Sequence, residues 1–307
     1  MKILVTGGAG FIASHIVDAY IALGHDVAVV DNLSTGREEN INPKASFYKL
    51  DICSEQVKEL ILEQKPDIIN HHAAQIDVRR SVQDPAYDAK INIVASLNIL
   101  EAARQVSTKH FIFSSTGGAI YGEQDYFPAD EAHPLRPLSP YGVAKLSVEK
   151  YLDYYRAIYG LPYTIFRYAN VYGPRQNPKG EAGVVAIFCE LLSKTSTPTI
   201  NGDGLQTRDY VYVADLVKAN CLAIEHLDKS ANQIFNIGTG IETDVNSIFQ
   251  HLKHLFASEV DETHGSAKAG EQRRSVLSSA LVSQVLGWRV ETSLEEGLEK
   301  TVAFYKK

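Results

Sequence analysis

The sequence predicts an α/β fold, specifically a Rossmann-type doubly wound parallel sheet with a smaller, interleaved C-terminal lobe. Three observations predict it: short β-branched runs alternate with longer helical segments, a glycine-rich turn follows the first run, and the pattern changes after Tyr172. Strands that alternate with helices form βαβ units, and such units pair their strands in parallel. At 307 residues with 45% hydrophobic content, the chain can bury a substantial core.

The first half of the chain contains the alternating elements. Strands are predicted over residues 2–6, 26–31, 47–50, 67–70 and 110–114, and the first helix over residues 11–23. A longer helix over roughly residues 138–160 ends at a glycine, and a strand over residues 164–167 follows it. The sheet is therefore expected to continue past the midpoint of the chain.

The second lobe is expected to begin at residue 172, where a loop rich in glycine and proline covers residues 173–180. Residues 210–225 and 234–237 return to helix and strand. We therefore expect residues 1–171 together with about 211–238 to form the Rossmann domain. Residues 172–210 and 239–307 are expected to form the smaller lobe.

Composition excludes several classes of protein. The formal net charge of −7 argues against broad nucleic-acid binding, which needs basic surfaces. No window reaches the roughly 18 to 20 apolar residues of a membrane span, and no signal peptide is predicted. Cys53, Cys189 and Cys221 are scattered, and no histidine cluster accompanies them, so neither disulfides nor a metal site is expected. A reducing cytoplasm is the predicted location.

The turn after the first strand has the spacing of a dinucleotide site. Gly7, Gly10 and Ala13 form a GxxGxxA pattern that opens a helix. Small residues let the backbone approach a diphosphate, and the helix N-terminus presents free N–H groups to it. An ordinary strand-to-helix turn would have similar glycines. Asp31, at the end of the second strand, favours NAD over NADP because a carboxylate repels a 2′-phosphate, whereas Arg37 argues the other way.

Tyr141 and Lys145 are the candidate catalytic pair, since residues four apart share one face of a helix. A phenol has a pKa of about 10 and needs nearby positive charge to act as a base near neutrality. This pattern alone is common by chance. It gains weight from Ser114 and Thr116, which stand at the carboxyl end of a predicted strand, where open α/β sheets bind ligands. Turn and capping hydroxyls are the alternative interpretation of these residues.

Several motifs in this order resemble the extended short-chain dehydrogenase/reductase family and, within it, the UDP-glucose (UDP-galactose) 4-epimerases. The resemblance covers nearly the whole chain. Its motifs are TGGAGFI from Thr6, DNLS from Asp31, DI at Asp51, HHAA from His71, SST from Ser114, IYG from Ile120, SPYG from Ser139 with Lys145, RYANVYGP from Arg167, GDG from Gly202 and RDY from Arg208.

The resemblance implies roles at named positions. Tyr141 would shuttle the proton of the sugar 4-hydroxyl, Lys145 would bond the nicotinamide ribose and depress the pKa of the tyrosine, and Thr116 would bond the same sugar oxygen. The implied contacts of an NAD cofactor also include Gly7, Gly10, Phe11, Ile12, Asp31, Asn32, Asp51, Ile52, Ala73, Ala74, Asn92, Ser114 and Tyr168.

The implied substrate is a UDP-sugar, and its contacts fall mainly in the second lobe. Besides Thr116 and Tyr141 they are Asn170, Val184, Val185, Arg208, Lys268, Glu271 and Ser275. Lys268 stands where the family usually has arginine, and Arg273 with Arg274 offers a compensating contact or a solvated charge pair. The small Ser275 leads to the hypothesis that N-acetylated hexoses are also accepted.

The predicted reaction is reversible 4-epimerisation through a 4-keto sugar, as in galactose metabolism. The alternatives are another nucleotide-sugar epimerase, a 4,6-dehydratase or a non-catalytic dinucleotide-binding protein. Dehydratases normally carry an Asp-Glu pair after the catalytic threonine, and here Gly117 and Gly118 stand there. The catalytic pair argues against a non-catalytic protein. The resemblance also implies a homodimer formed through two helices of each subunit, with Tyr151 and Tyr154 on one of them.

Overall fold

A parallel sheet lies at the centre of the structure, a computed structural model that describes residues 1–179, 183–267 and 272–306. The strands are β1 (Lys2–Thr6), β2 (Asp26–Asp31), β3 (Ser46–Lys49), β4 (Ile68–His71), β5 (His110–Thr116), β6 (Tyr163–Tyr168), β7 (Asn170–Tyr172), β8 (Thr199–Asn201), β9 (Thr207–Arg208), β10 (Tyr210–Tyr212), β11 (Gln233–Ile237), β12 (Thr243–Asp244), β13 (Thr263–Gly265) and β14 (Arg274–Ser275). The central sheet has seven strands in the order β11-β6-β5-β4-β1-β2-β3.

Each neighbouring pair in this sheet is parallel. The order reverses between β1 and β4, so the crevice outside their carboxyl ends is where an open α/β sheet binds its ligand. The predicted fold class is confirmed.

The helices cover both faces of the sheet and build the remainder of the molecule. They are α1 (Phe11–Ala22), α2 (Glu55–Gln64), α3 (Val78–Gln83), α4 (Pro85–Ala89), α5 (Ala95–Gln105), α6 (Gly117–Ile120), α7 (Pro140–Tyr159), α8 (Val184–Ser193), α9 (Val213–Glu225), α10 (Leu227–Ser230), α11 (Val245–Phe256), α12 (Ala280–Leu286) and α13 (Leu294–Tyr305). A π-helical turn, Lys90–Val94, joins α4 to α5. Within the described parts of the chain, no helix is both long and apolar enough to cross a membrane.

The side chains of β1 show why both faces need helices. Ile3 and Val5 point to one face and pack with residues of α1 and α9, whereas Leu4 points to the other and packs with residues of α2, α5 and α7. Successive strand residues alternate between faces, so a strand that is apolar at every position is buried on both. The sheet is therefore the middle layer of three.

A third apolar cluster lies in the later part of the chain. It joins β7 and β10 to α8, α11 and α13 through side chains such as Phe188, Phe249 and Leu298. This cluster gives the later segments a core that is separate from the two faces of the large sheet. The division at residues 171, 211 and 238 stays a prediction.

Candidate active site

The turn between β1 and α1 is shaped by its glycines. Gly7 has a φ of +72°, and a Cβ there would lie 2.8 Å from the backbone nitrogen of Ala73. A Cβ on Gly10 would lie 3.0 Å from the carbonyl oxygen of Gly7. Helix α1 begins with Phe11 and Ile12, whose N–H groups are among those that lack an acceptor within the helix. The bare backbone and the positive end of the helix fit a diphosphate.

Thr6 ties this turn to the end of β4. Its Oγ1 accepts hydrogen bonds from the backbone nitrogens of His72, at 3.2 Å, and Ala73, at 3.1 Å. It also bonds Nδ1 of His71 at 2.7 Å. Ala74 follows in the same loop. One buried threonine therefore fixes the spacing of the two loops that border the crevice.

Asp31 lies at the carboxyl end of β2, next to the glycine turn. Its carboxylate accepts hydrogen bonds from the backbone nitrogens of Ala9, at 3.0 Å, and Leu33, at 2.8 Å. Burial raises the pKa of Asp31, and the two hydrogen bonds oppose that rise. Arg37 pairs instead with Glu39, at 3.2 Å and exposed to solvent. A carboxylate held here favours a free 2′-hydroxyl on the adenosine ribose and repels a 2′-phosphate.

Asn32 and Asp51 meet beyond the ends of β2 and β3. Asn32 Nδ2 donates to Asp51 Oδ2 at 2.9 Å, and the backbone nitrogen of Cys53 donates to Asp51 Oδ1 at 2.8 Å. Burial disfavours the charge on Asp51, but these hydrogen bonds outweigh it and lower the pKa. Ile52, which lies between Asp51 and Cys53 in the chain, is buried against the apolar core. The structure thus places three of the predicted adenosine contacts in one short segment of the crevice rim.

Helix α7 carries the predicted catalytic pair. Ser139 caps the helix by accepting from the backbone nitrogen of Gly142 at 3.2 Å, so the helix begins at Pro140, one residue before Tyr141. The Nζ atom of Lys145 lies 5.9 Å from the centre of the Tyr141 ring. It donates to the carbonyl oxygen of Ser114 at 2.7 Å. The predicted adjacency of phenol, ammonium and the end of β5 is therefore present in the structure.

The electrostatics of this pair differ in one respect from the expectation. Burial lowers the pKa of Lys145 to about 8, while the charges of Asp88 and Glu149 oppose this. Burial, reinforced by Asp88, raises the pKa of Tyr141 well above its ordinary value. Desolvation and the charge of Asp88 therefore set the direction of the Tyr141 pKa shift, opposite to the depression that the resemblance implies.

Thr116, Asn170 and Gly118 face one another beside α7. A Cβ on Gly118 would lie 3.7 Å from Asn170 Oδ1 and 4.0 Å from Thr116 Oγ1. A Cβ on Gly142 would lie only 2.6 Å from the carbonyl oxygen of Ala119, so α7 packs closely on this segment. The close packing brings the start of α7 against α6, which follows Thr116 directly.

Two predicted cofactor contacts have side chains that are engaged within the protein. Asn92 Oδ1 accepts from the backbone nitrogen of Gln75 at 2.9 Å, and Asn92 Nδ2 donates to Gln75 O and to Asp88 Oδ1, both at 2.9 Å. Tyr168 accepts from Asn220 Nδ2 at 2.9 Å and is buried. These bonds leave neither amide hydrogen of Asn92 free for a ligand, so the side chain shapes the crevice wall.

The substrate residues of the second lobe are only partly brought together. Arg208 on β9 and Ser275 on β14 are register partners on adjacent parallel strands. Arg208 Nη1 donates to the carbonyl oxygen of Thr207 at 2.8 Å, and Ser275 is buried. Val184 opens α8 and is partly buried, whereas Val185 lies in the third apolar cluster. Lys268 and Glu271 lie outside the described residues.

The two arginines offered as a compensating contact each have an acidic partner. Arg273 forms two bonds to Asp203, at 2.8 and 2.9 Å. Arg274 forms two bonds to Glu242, at 2.9 and 2.8 Å, and lies over the ring of Phe127. Both guanidinium groups are thus paired at the surface, in agreement with the charge-pair interpretation.

The chain also matches a known protein family. Residues 3–238 match the model of the NAD dependent epimerase/dehydratase family. The chain belongs to this family. The match confirms the predicted class of enzyme and its dependence on NAD.

Members of the epimerase/dehydratase family resemble the chain over nearly its full length. The UDP-glucose 4-epimerase of Mycolicibacterium smegmatis is 42% identical, over 100% of this chain and 99% of that protein. The crystal structure of the Thermotoga maritima UDP-glucose 4-epimerase with UDP-glucose has a TM-score of 0.96 at 50% identity, covering 99% of this chain and 98% of the other. The Thermus thermophilus UDP-glucose 4-epimerase in complex with NAD has a TM-score of 0.94 at 41% identity, covering 99% of each chain.

Four polar residues near the candidate catalytic pair had no site role assigned from the sequence, although Ser115 and Arg167 lie in motifs named above. Asp88, Ser115, Glu149 and Arg167 are all buried. Glu149 follows Lys145 by one helical turn, so its place on the same face of α7 was a usable signal. Asp88 precedes the predicted contact Asn92 by one helical turn and bonds it, but its burial beside α7 depends on the packing of α4 and is not visible in the sequence. Among the described residues, no group of three or more His, Cys, Asp or Glu side chains is placed to hold a metal.

Proposed function

We propose that this protein is an NAD-dependent 4-epimerase that interconverts UDP-galactose and UDP-glucose. The observation that carries the proposal is the Tyr141–Lys145 pair, whose lysine is buried, against the end of β5 that carries Thr116. The relatives named as UDP-glucose 4-epimerases, which align over nearly the whole chain, support the choice of substrate. We also propose a role in galactose metabolism and a cytoplasmic location.

The catalytic residues would act on the 4-hydroxyl of the sugar. Tyr141 takes the hydroxyl proton as C4 is oxidised and returns it when C4 is reduced, which makes it the general base and then the general acid. Thr116 bonds the same oxygen and orients it. Lys145 contributes positive charge beside the phenol and a donor for the nicotinamide ribose. NAD, when bound, would supply the hydride acceptor and donor for C4 and, in its oxidised form, positive charge near the phenol.

Different residues of the crevice would contact different parts of the NAD cofactor. The turn at Gly7 and Gly10, with the N–H groups of Phe11 and Ile12, suits the diphosphate. Asp31 suits the adenosine ribose. The other residues proposed to line the cofactor are Asn32, Asp51, Ile52, Ala73, Ala74, Asn92, Ser114 and Tyr168. We place this site in residues 1–171 with about 211–238.

The substrate would lie between this site and residues 172–210 and 239–307. Asn170 and Arg208 are proposed to hold its diphosphate, where a guanidinium suits paired phosphate oxygens. Val184, Val185, Lys268, Glu271 and Ser275 complete the proposed set. Glycine at position 117 disfavours the 4,6-dehydratase alternative, since a Cβ there would lie 2.3 Å from Leu277 Cδ1 and leaves no room for an acidic side chain.

We further propose a homodimer formed through α7. Tyr151 and Tyr154 on its outer face are 40% and 47% exposed, and Val143 nearby is 49% exposed. Large apolar and aromatic side chains that share one exposed helix face suit an interface between subunits. No nucleic-acid or membrane partner is proposed.

Purified protein incubated with UDP-galactose and sub-stoichiometric NAD is expected to form UDP-glucose up to an equilibrium mixture. Chromatography that resolves the two hexoses and any keto sugar measures this. No interconversion, or a 4-keto-6-deoxy product, would exclude the epimerase. The same assay with UDP-N-acetylglucosamine and UDP-N-acetylgalactosamine tests the hypothesis drawn from Ser275, and failure of both substrates refutes it.

The substitution Gly7→Ala is expected to weaken NAD binding at least about tenfold. It combines the strain of a left-handed backbone, about 1–2 kcal/mol, with a displacement of the loop at Ala73. Gly24→Ala is the matched control, because Gly24 has a φ of +81° and open space around its Cβ position. Calorimetric titration with NAD should separate the two, since only Gly7→Ala disturbs the cofactor site. Equal affinities would show that Gly7 has no role in binding.

A further inference from the structure

A buried carboxylate outside the proposed chemistry lies next to the catalytic helix. Asp88 is 1% exposed and belongs to α4, which packs against α7. Its Oδ1 accepts from Gln75 Nε2 and from Asn92 Nδ2, both at 2.9 Å. Its Oδ2 is buried, and no donor among the described residues reaches it. A carboxylate withdrawn from water in this way is costly unless opposite charge compensates it.

Lys145 is a buried cation on α7, the helix against which α4 packs. The negative charge of Asp88 acts on both Lys145 and Tyr141, and the charge of Lys145 acts on Asp88 in return. Burial raises the pKa of Asp88, while its two hydrogen bonds and Lys145 lower it. Asp88 and Lys145 are thus two buried, opposite charges that favour each other's charged form.

Other charged groups around α4 have partners of their own. They are Arg79 and Arg80 on the packed helix α3, and Lys90 on the π-helical turn. Arg80 lies over the ring of Tyr87 at 4.0 Å, the charge of Lys90 lowers the pKa of Asp51, and Arg79 also has an interaction partner.

The carboxylate of Glu149 also favours the charged form of Lys145, but it has a bonded cation of its own. Glu149 Oε1 and Oε2 accept from Arg167 Nε at 3.1 Å and Nη2 at 2.6 Å. Ser115 Oγ also donates to Glu149 at 2.6 Å. The charge of Glu149 is therefore already neutralised by a bonded guanidinium. Asp88 is hydrogen-bonded only to neutral amides among the described residues, so its charge reaches Lys145 without such compensation.

We propose that Asp88 is the counter-charge of the catalytic pair, a positioning residue that keeps the buried Lys145 in its charged, ribose-binding form. This inference rests on the proposed roles of Tyr141 and Lys145. Gln75 and Asn92 hold the carboxylate in place, and the π-helical turn that carries Asn92 is a local irregularity of a kind often found at functional sites. Asn92 therefore serves the site by orienting Asp88.

Asp88→Asn tests the proposal, because the amide keeps an acceptor for Gln75 and Asn92 while the charge is lost. With ¹³Cε-lysine labelling, NMR follows the titration of Lys145, assigned by the signal missing in Lys145→Met. We expect the Lys145 midpoint in Asp88→Asn to fall by about half a pH unit or more. The control Asp84→Asn removes an exposed carboxylate that caps α4, and asparagine caps helices equally well, so its midpoint should match wild type. An unchanged midpoint in Asp88→Asn would overturn the proposal.

Turnover provides the second readout. Removing a negative charge lowers the pKa of both neighbours, so both limbs of the kcat–pH profile should move to lower pH in Asp88→Asn, with KM for UDP-galactose within about twofold of wild type. A lower kcat with unmoved limbs would indicate a purely structural role and reject the proposal. The NMR titration needs no substrate. A shifted midpoint in a protein without epimerase activity would thus refute the proposed function and leave the charge coupling standing.

If Asp88→Asn does not fold, the titration of Asp88 in a Lys145 variant tests the same coupling. Coupling between two sites is mutual, so loss of Lys145 must raise the pKa of Asp88. In Lys145→Met, labelled at aspartate Cγ, the Asp88 carboxyl should titrate at higher pH than in wild type by the same amount. An unchanged Asp88 midpoint would reject the proposal on independent grounds.

Discussion

Replacing Tyr141 with phenylalanine is expected to lower kcat for UDP-galactose by about three orders of magnitude, within the range of general acid–base catalysis. The substitution removes one hydroxyl and leaves the ring in its partly buried place on α7. The binding site should therefore persist, and UDP-glucose affinity should stay within a few-fold of wild type. Chromatographic rates together with calorimetric titration of the nucleotide sugar measure the two quantities separately.

Tyr151→Phe is the matched control for this substitution. Tyr151 lies on the same helix but is 40% exposed, so losing its hydroxyl should leave kcat unchanged within about twofold. A Tyr141→Phe variant that retains more than about a tenth of wild-type activity would assign the proton transfer to another group. The hydroxyl of Thr116, at the carboxyl end of β5, would then be the first alternative.

The sequence predicted the sheet well because local pattern and tertiary environment agree there. The predicted strands at residues 2–6 and 26–31 have the limits found in the structure, since the residues that follow Lys2 and Asp26 within them are buried. The helix predicted over residues 138–160 begins at Pro140 in the structure, two residues later than predicted. Ser139 caps it there, and Pro140 occupies its first turn. Gly160, in left-handed conformation, ends it.

The candidate site was predictable only where the chemistry depends on short spacing. The Tyr141–Lys145 pair and the turn at Gly7 each lie within one local segment, so sequence alone located them. The internal bonding of Asn92 and the core position of Val185 depend on partners far away in the chain. Desolvation is likewise a tertiary property, and it reverses the expected shift of the Tyr141 pKa. Spacing identifies such residues and leaves their electrostatics undetermined.

The buried ion pair between Arg167 and Glu149 is the second feature with a large expected effect. Their side chains are 2% and 0% exposed, and two hydrogen bonds join them. Arg167 also donates to the hydroxyl of Tyr121 at 3.0 Å. The pair links α7 to β6, directly behind the end of β5 that carries Thr116. Removing one partner leaves an uncompensated charge in the core, which is far more costly than the net benefit of the pair.

Arg167→Met is therefore expected to reduce the free energy of unfolding by about 3–5 kcal/mol, measured by urea denaturation in one fixed cofactor condition. The exposed pair of Arg136 and Asp125, at 2.9 Å, is the control, and Arg136→Met should cost about 1 kcal/mol or less. Combining Arg167→Met with Glu149→Leu should recover part of the loss, because the double variant buries no unpaired charge. A single and a double variant of equal stability would mean that the orphaned carboxylate is not the origin of the loss. The cost would then come from the packing that Arg167 provides between α7 and the sheet.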